Sequence, residues 1–412
     1  MAMRRAHSAD VRPSLHRRSA AVARLLLILL VLGLAAIVLR DGLANHLAQQ
    51  GSAEAAVAPD DARIAIAAAR ARLERGKLPG SPRLQALARV ALDRETTQPA
   101  PLELLALAAR DRGDRAQEAR WFALSAQLSQ RSLATRLWLI QRAVEHGDVA
   151  DALHDFDVAL RTSSLAPPIL FPVLARAAAD PALIGPIARL LDQPSDWRAA
   201  FLHQSAVQAA TAPTAAQLLL AMHDRPAVTA AHADQTVIAT LVGQRQFALA
   251  RQVFNRFSGA GAKGQGVLDG GFANPSLAYP FGWALAETGP LGAARLSRAG
   301  RTVLGWNADP DQSGAVATQL LMLVPGRHKL TTRVVDAMGD PAAPPYWTVT
   351  CASPGNDQIG LLRLPLIAGQ IAGSAVVVPR DCPAEWLVLM IPAGDTAVGQ
   401  SGTIASIAVD GR

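Results

Sequence analysis

The chain has 412 residues, half of them hydrophobic, 18% charged and 4% aromatic, with a formal net charge of +7. Residues 1–24 carry six arginines against one aspartate, so five of the seven net charges sit in that short segment and only two are spread over the remaining chain. A polynucleotide-binding protein needs its cations on the folded body, so nucleic acid is excluded as a partner, and the basic segment suits anionic lipid headgroups instead.

The first expected element is a transmembrane helix over residues 20–39. Leu25 to Leu39 is an unbroken apolar run, and Ala20 to Ala23 extend it to about 20 residues, the length that crosses a bilayer as a helix. The arginines before it (Arg4, Arg5, Arg12, Arg17, Arg18, Arg24) place residues 1–19 in the cytoplasm as a basic tail and send the rest across the membrane. The competing reading is a cleaved signal peptide, for which Gly42-Leu43-Ala44 offers a small-x-small site. Arg40 and Asp41 stand between that site and the apolar core, and the leading segment is long for a signal, which favours a retained anchor. Both readings put the body outside the cytoplasm. With an Ala/Arg-rich composition, that compartment is a bacterial periplasm bounded by the inner membrane.

Residues 45–59 are small, polar and alanine-rich and read as a spacer. Residues 60–257 then show helical periodicity. Leu102, Leu104, Leu105 and Leu107, and later Leu133, Leu137, Ile140, Ala143 and Val144, follow the spacing of a buried helical stripe. Prolines at 99, 101, 167, 168, 181, 186, 194, 213 and 226 fall where helices begin or end. A repeat is visible at an offset of 34, matching Leu104-Leu105-Ala106 with Trp138-Leu139-Ile140 and Gly113-Asp114 with Gly147-Asp148. Ala152, Phe156 and Ala159 stand at +5, +9 and +12 from Gly147, and here the stretch resembles a tetratricopeptide repeat. Ala119, Ala123 and Ala126 follow the pattern less closely, and Ala250 with Phe254 gives a partial third copy. The resemblance implies an α-solenoid whose exposed surface binds protein partners; a generic antiparallel helical array is the alternative. Residues 169–233 offer no repeat register.

The glycine-rich segment 258–266 spells GxGxxG at Gly259, Gly261 and Gly264, but no strand precedes it and no helix follows. It reads as a linker, without the frame of a phosphate cradle. From residue 267 to 412 the pattern turns to β. The runs Ala315–Val324, Tyr346–Cys351, Gly360–Ile367, Ala375–Val378, Glu385–Ile391 and Thr403–Val409 are rich in Val, Ile, Leu, Thr and Trp and bounded by turn residues, which predicts an all-β sandwich. The opening segment Asp269 to Leu285, with Phe272 and Trp283, resembles the start of jelly-roll carbohydrate-binding modules. So does the stretch from Thr318 to Leu330 with its Gln319 and Pro325-Gly326, and Thr403 to Gly411 is similar to their closing strand. Ala273 and His328 stand where that pattern has glutamate and tyrosine. The resemblance implies a jelly-roll fold and glycan recognition.

Catalytic signatures are missing from the sequence. It contains no HExxH, GxSxG or P-loop, and its nine histidines are scattered. Asp309 and Asp311 form an acidic turn with too few oxygens for calcium, and Asp410 is an equally weak ligand, so no metal and no cofactor is expected. Cys351 and Cys382 are the only cysteines and share one exported domain, which predicts a disulfide. Of 18 aromatics, the β half holds both tyrosines and four of the seven tryptophans. Trp283 and Trp386 suit core positions, whereas Tyr279, Trp306, Tyr346 and Trp347 lie beside loops and are the candidate ligand-binding residues, since sugar rings stack an apolar face on exposed aromatics. The expected protein is thus a membrane-anchored binding or assembly protein, not an enzyme, with protein partners on the helices and polysaccharide on the sandwich. A purely structural protein–protein scaffold and a glycan-active enzyme are the alternatives.

Overall fold

The computed structural model describes residues 66, 82–258, 266–353, 355, 357–394 and 399–411. The basic tail 1–19, the expected transmembrane helix 20–39, the spacer 45–59 and most of the linker 258–266 lie outside the described residues. Among the described residues no helix is long and apolar enough to cross a membrane. The chain divides into two compact units, residues 1–164 and 165–412.

The first unit contains α1 (Pro82–Arg94), α2 (Pro99–Asp111), α3 (Arg115–Leu128), α4 (Leu133–Glu145) and α5 (Val149–Thr162). Prolines 99 and 101 open α2 in its first turn, where a missing N–H costs no hydrogen bond. Asp114, Ser132 and Asp148 cap α3, α4 and α5 by accepting from the backbone N–H of Gln117, Thr135 and Asp151. The hairpins α2–α3 and α4–α5 turn through Gly113 and Gly147 at φ +76° and +73°, a left-handed conformation that a Cβ would penalise. Within this unit Phe122 stacks on Trp138 at 5.0 Å between ring centres. The carboxylate of Glu103 collects the hydroxyls of Ser125, Ser132 and Thr135. Arg136 donates to Asp155 at 2.5 Å, a buried pair that ties α4 to α5. Ala152, Phe156 and Ala159 all lie on the buried face of α5.

The second unit begins with α6 (Pro167–Ala177), α7 (Pro181–Asp192), α8 (Arg198–Val207), α9 (Ala212–Ala221), α10 (Arg225–Ala230), α11 (Ala233–Gly243) and α12 (Phe247–Phe257). The stretch 169–233, unreadable as repeats, is thus α6 to α10, with Phe171, Trp197 and Phe201 clustered at 5.4–6.3 Å. On α12, Phe254 packs at 5.0 Å on Phe281, which belongs to the segment leading into the sandwich. The guanidinium of Arg251 lies over both rings, at 5.4 and 5.0 Å.

Eleven strands make up the described part of the sandwich: β1 (Ala284–Leu285), β2 (Glu287–Thr288), β3 (Leu291–Arg298), β4 (Arg301–Ala308), β5 (Gly314–Leu321), β6 (Gly326–Met338), β7 (Tyr346–Cys351), β8 (Gln358–Arg363), β9 (Ile371–Val378), β10 (Glu385–Ile391) and β11 (Gln400–Gly411). They form two antiparallel sheets, a five-stranded one in the order β1-β5-β10-β7-β8 and a six-stranded one in the order β2-β3-β4-β11-β6-β9. The core between them takes alternate residues from each strand, among them Leu304, Trp306, Leu330, Val334, Trp347, Val349, Leu387, Leu389 and Ile404. The cysteines are bonded, with their Cα atoms 5.6 Å apart, so the end of β7 is tied to the turn before its neighbour β10. Closing that 31-residue separation stabilises the domain by about 3–4 kcal/mol in the chain-entropy account. Beside it Glu385 is fully buried. One carboxylate oxygen accepts from the Leu323 N–H at 3.0 Å, and the other has no hydrogen-bond partner among the described residues. Burial pushes its pKa up from 4.5 to about 7, only partly offset by that hydrogen bond.

Candidate functional site

The alternation of each strand gives every sheet an inner face and an outer one. On the six-stranded sheet Leu304 and Trp306 of β4 and Leu330 and Val334 of β6 point into the core. The register then sets Ala294, Leu296 and Arg298 of β3 beside Gly305 and Asn307 of β4, Ser401 and Thr403 of β11, and Asp336 and Met338 of β6, all on the outer face. These residues enclose a groove of about 480 Å³, within the roughly 300–1,000 Å³ range of small-ligand sites.

Gly305 leaves room for the groove on the outer face, and Gly402 leaves room for Trp306 on the core side. A Cβ at Gly305 would meet the Leu296 side chain at 2.3 Å, so a larger residue there would lift the floor. A Cβ at Gly402 would meet the Trp306 ring at 2.8 Å and the Asp336 carbonyl at 2.7 Å, so glycine lets the indole lie directly against β11. A β-bulge follows Thr403, which re-aims the strand beside the groove.

The groove combines a polar cluster with apolar walls. Arg298 pairs with one oxygen of Asp336, and the Thr403 hydroxyl donates to the other at 2.7 Å. Burial alone would raise the Asp336 pKa. The hydrogen bonds from Thr403 and Arg298, with the guanidinium charge, outweigh it and hold the carboxyl below its ordinary range. The site therefore presents an ionised carboxylate, a guanidinium, an amide (Asn307) and two hydroxyls (Ser401, Thr403) within one cavity. Leu296 at 44% exposure and Met338 at 59% supply its apolar walls.

The four aromatics singled out in the sequence do not come together. Trp347 has no exposure and Trp306 only 3%, which corrects the expectation that they sit on a ligand-facing surface. The reason is strand parity. Trp347 alternates with Val349 and Cys351, all facing the core, and packs against Trp283 at 5.6 Å. Trp306 shares its face with Leu304 and reaches the groove only from beneath. Tyr279 is 51% exposed and stacks on Trp386 at 6.2 Å, while Tyr346 is half-buried on β7. Trp386 and Tyr346 occupy outward positions of the five-stranded sheet, opposite in direction to Leu387 and Trp347, so the Tyr279–Trp386 pair is a second exposed feature on a different face.

The groove residues Leu296, Arg298, Asp336, Met338, Ser401 and Thr403 escaped the sequence reading. Their common feature is alternation on strands far apart in sequence, which only the β4–β11 and β11–β6 registers bring together. Asp309 and Asp311 form an ordinary turn, with the Gln312 N–H donating to the Asp309 carbonyl at 3.1 Å. Among the described residues, no three or more His, Cys, Asp or Glu side chains are grouped to hold a metal.

No protein-family model and no curated protein matches the chain. Among solved structures, a family 16 carbohydrate-binding module is similar over 35% of this chain and 99% of its own, at 14% identity and a TM-score of 0.27. A family 4 carbohydrate-binding module is similar over the same share of each chain, at 15% identity and a TM-score of 0.26. The enzymatically active domain of tailspike protein 4 from bacteriophage CBA120 is similar over 34% of this chain and 20% of its own, at 12% identity and a TM-score of 0.25.

Proposed function

We propose that the protein is an inner-membrane-anchored periplasmic binding or assembly protein whose β-sandwich holds an envelope or exported polysaccharide in the groove of the six-stranded sheet. The observation that carries this reading is the Arg298–Asp336–Thr403 cluster set between the apolar walls of Leu296 and Met338. Each sugar hydroxyl both donates and accepts, and the cluster offers an ionised acceptor beside a guanidinium donor. A pyranose also has an apolar C–H face, which the exposed leucine and methionine would cover. Hydrolysis of a glycosidic bond ordinarily needs two carboxylates flanking it about 5–10 Å apart. Among the described residues Asp336 is the one carboxylate in the groove lining, and it is already committed to Arg298 and Thr403, which favours binding over catalysis. The helical hairpins α2–α3 and α4–α5, read as tetratricopeptide-like, would take protein partners.

A second reading rests on the exposed Tyr279 ring backed by Trp386, a stacking platform on the other sheet. The two separate by substitution. Ala294→Trp, at an exposed position in the groove wall, fills the cavity without touching the core, and Asp336→Ala removes the acceptor. In titrations of the full-length protein with saccharides, the tryptophan should abolish binding and Asp336→Ala should weaken it about tenfold, the worth of one charged hydrogen bond. Loss of binding in Tyr279→Ala with both groove variants unaffected would transfer the site to the five-stranded sheet.

A further inference from the structure

The outer face that carries the groove continues along β6 to a second cavity. It has about 260 Å³ and is lined by Arg327, Lys329, Gly373, Ser374 and Ala375, with His328. Outward positions on β6 set Arg327, Lys329 and Arg333 in one exposed row on the side that holds Asp336 and Met338. The neighbouring edge strand β9 has no charged residue, and its Gly373 and Ala375 leave a trough beneath Lys329, whose Cε lies 3.3 Å from where a Cβ of Gly373 would stand. Across from Lys329 on β11 is one acid, Asp410. Arg301 adds a cation at the far end of β4, and Arg298 is neutralised by Asp336. The outward positions of this sheet, among the described residues, therefore hold four cations outside that pair against two acids, Asp410 and Glu287 of β2, a surplus of two. Residues 267–412 as a whole carry nine Arg and Lys against eleven Asp and Glu, so this outer face is cationic on a domain whose sequence is slightly acidic overall.

We propose that the polymer recognised here is an acidic polysaccharide, with its neutral parts in the groove and its carboxylate or other anionic substituents over Arg327, Lys329 and Arg333. This rests on the groove being the glycan site. From Arg327 to Met338 the face runs roughly 35 Å at about 3.3 Å per residue, which suits an extended chain better than a single sugar. Among the described outward positions of this sheet there is no aromatic for nucleic-acid bases to stack on. A lipid surface would be met by the cations alone and would leave the hydrogen-bonding groove unused.

The test uses matched pairs of polymers. Polygalacturonate, alginate and hyaluronate, each beside its own carboxyl-reduced form, together with neutral xylan and glucomannan, are titrated against the full-length protein. At low ionic strength at least one acidic polymer should bind about tenfold tighter than its reduced form, with the difference fading as salt is raised. The triple variant Arg327→Gln, Lys329→Gln, Arg333→Gln, at exposed positions, should erase the difference and leave binding of the reduced form unchanged. Equal binding of acidic and reduced polymers, or binding of neutral polymers only, overturns the charge assignment while Ala294→Trp still reports on the groove. Silence from acidic and neutral polymers alike overturns both readings. Tighter binding to phosphatidylglycerol vesicles or single-stranded DNA than to any glycan gives the face to another class of partner.

Discussion

Replacing Glu385 with glutamine should make the sandwich more stable at alkaline pH and change little at acid pH. Its carboxyl lies in the core next to the disulfide, with one oxygen accepting from Leu323 N–H and the other meeting no donor among the described residues. The folded-state pKa is raised by burial from 4.5 to about 7. An acid whose folded pKa exceeds its unfolded one favours folding fully only below the unfolded value, and that contribution is lost as pH rises through the folded value. From pH 4.5 to above 7 the wild type therefore loses up to about 3 kcal/mol, at about 1.4 kcal/mol per unit. The amide oxygen of glutamine still accepts from Leu323 and the side chain never ionises, so the variant omits this loss. Native-state hydrogen exchange on the β10 amides of Leu387 and Leu389 reports sandwich stability separately from the helices. The variant should match the wild type near pH 4 and exceed it progressively to pH 8. A difference that is flat with pH, or one that opens toward acid, would refute the burial argument.

Three further outcomes follow from the geometry. Cys351→Ala with Cys382→Ala should cost about 3–4 kcal/mol by the same exchange measurement, and alkylation of the unreduced, denatured wild type should add no mass. Asp155→Ala strands Arg136 without its partner between α4 and α5 and should destabilise the first unit by about 3–5 kcal/mol, visible as early loss of helical circular dichroism in urea; Arg136→Met with Asp155→Leu should recover most of it. Because Asp336 is held below the ordinary carboxylate range, groove affinity should be constant from neutral pH down past about 5 and fall only once the carboxyl protonates below 3.8.

Much of the architecture was legible because it depends on local pattern. The runs at Tyr346–Cys351 and Glu385–Ile391 coincide with β7 and β10, and the leucine stripes at 102–107 and 133–144 lie within α2 and α4. The β3–β4 hairpin was not legible. Leu-Gly-Ala-Ala-Arg-Leu-Ser-Arg reads as a helix former, and the strand identity is imposed by pairing through the tight turn at Ala299-Gly300, where both residues have positive φ. The side on which each tryptophan faces is a register property. For Trp347 the sequence did contain the signal, since a disulfide at Cys351 puts every second residue of that run inside. For Trp306 it did not, because its cover is Gly402, nearly a hundred residues later. Net charge misled in a different way. A near-neutral sum over the body conceals a cationic face, because acids and bases segregate between faces that only folding defines.

Methyl resonances of the full-length protein, recorded with and without bound glycan, report whether polysaccharide lies in the groove of the six-stranded sheet. Met338, Leu296 and Thr403 carry methyls in the groove, and Met390 carries one on the outer face of the five-stranded sheet. Saturating glycan should shift Met338, Leu296 and Thr403 and leave Met390 in place, and Ala294→Trp should abolish the shifts. Shifts at Met390 with the three groove methyls unmoved would contradict the groove assignment.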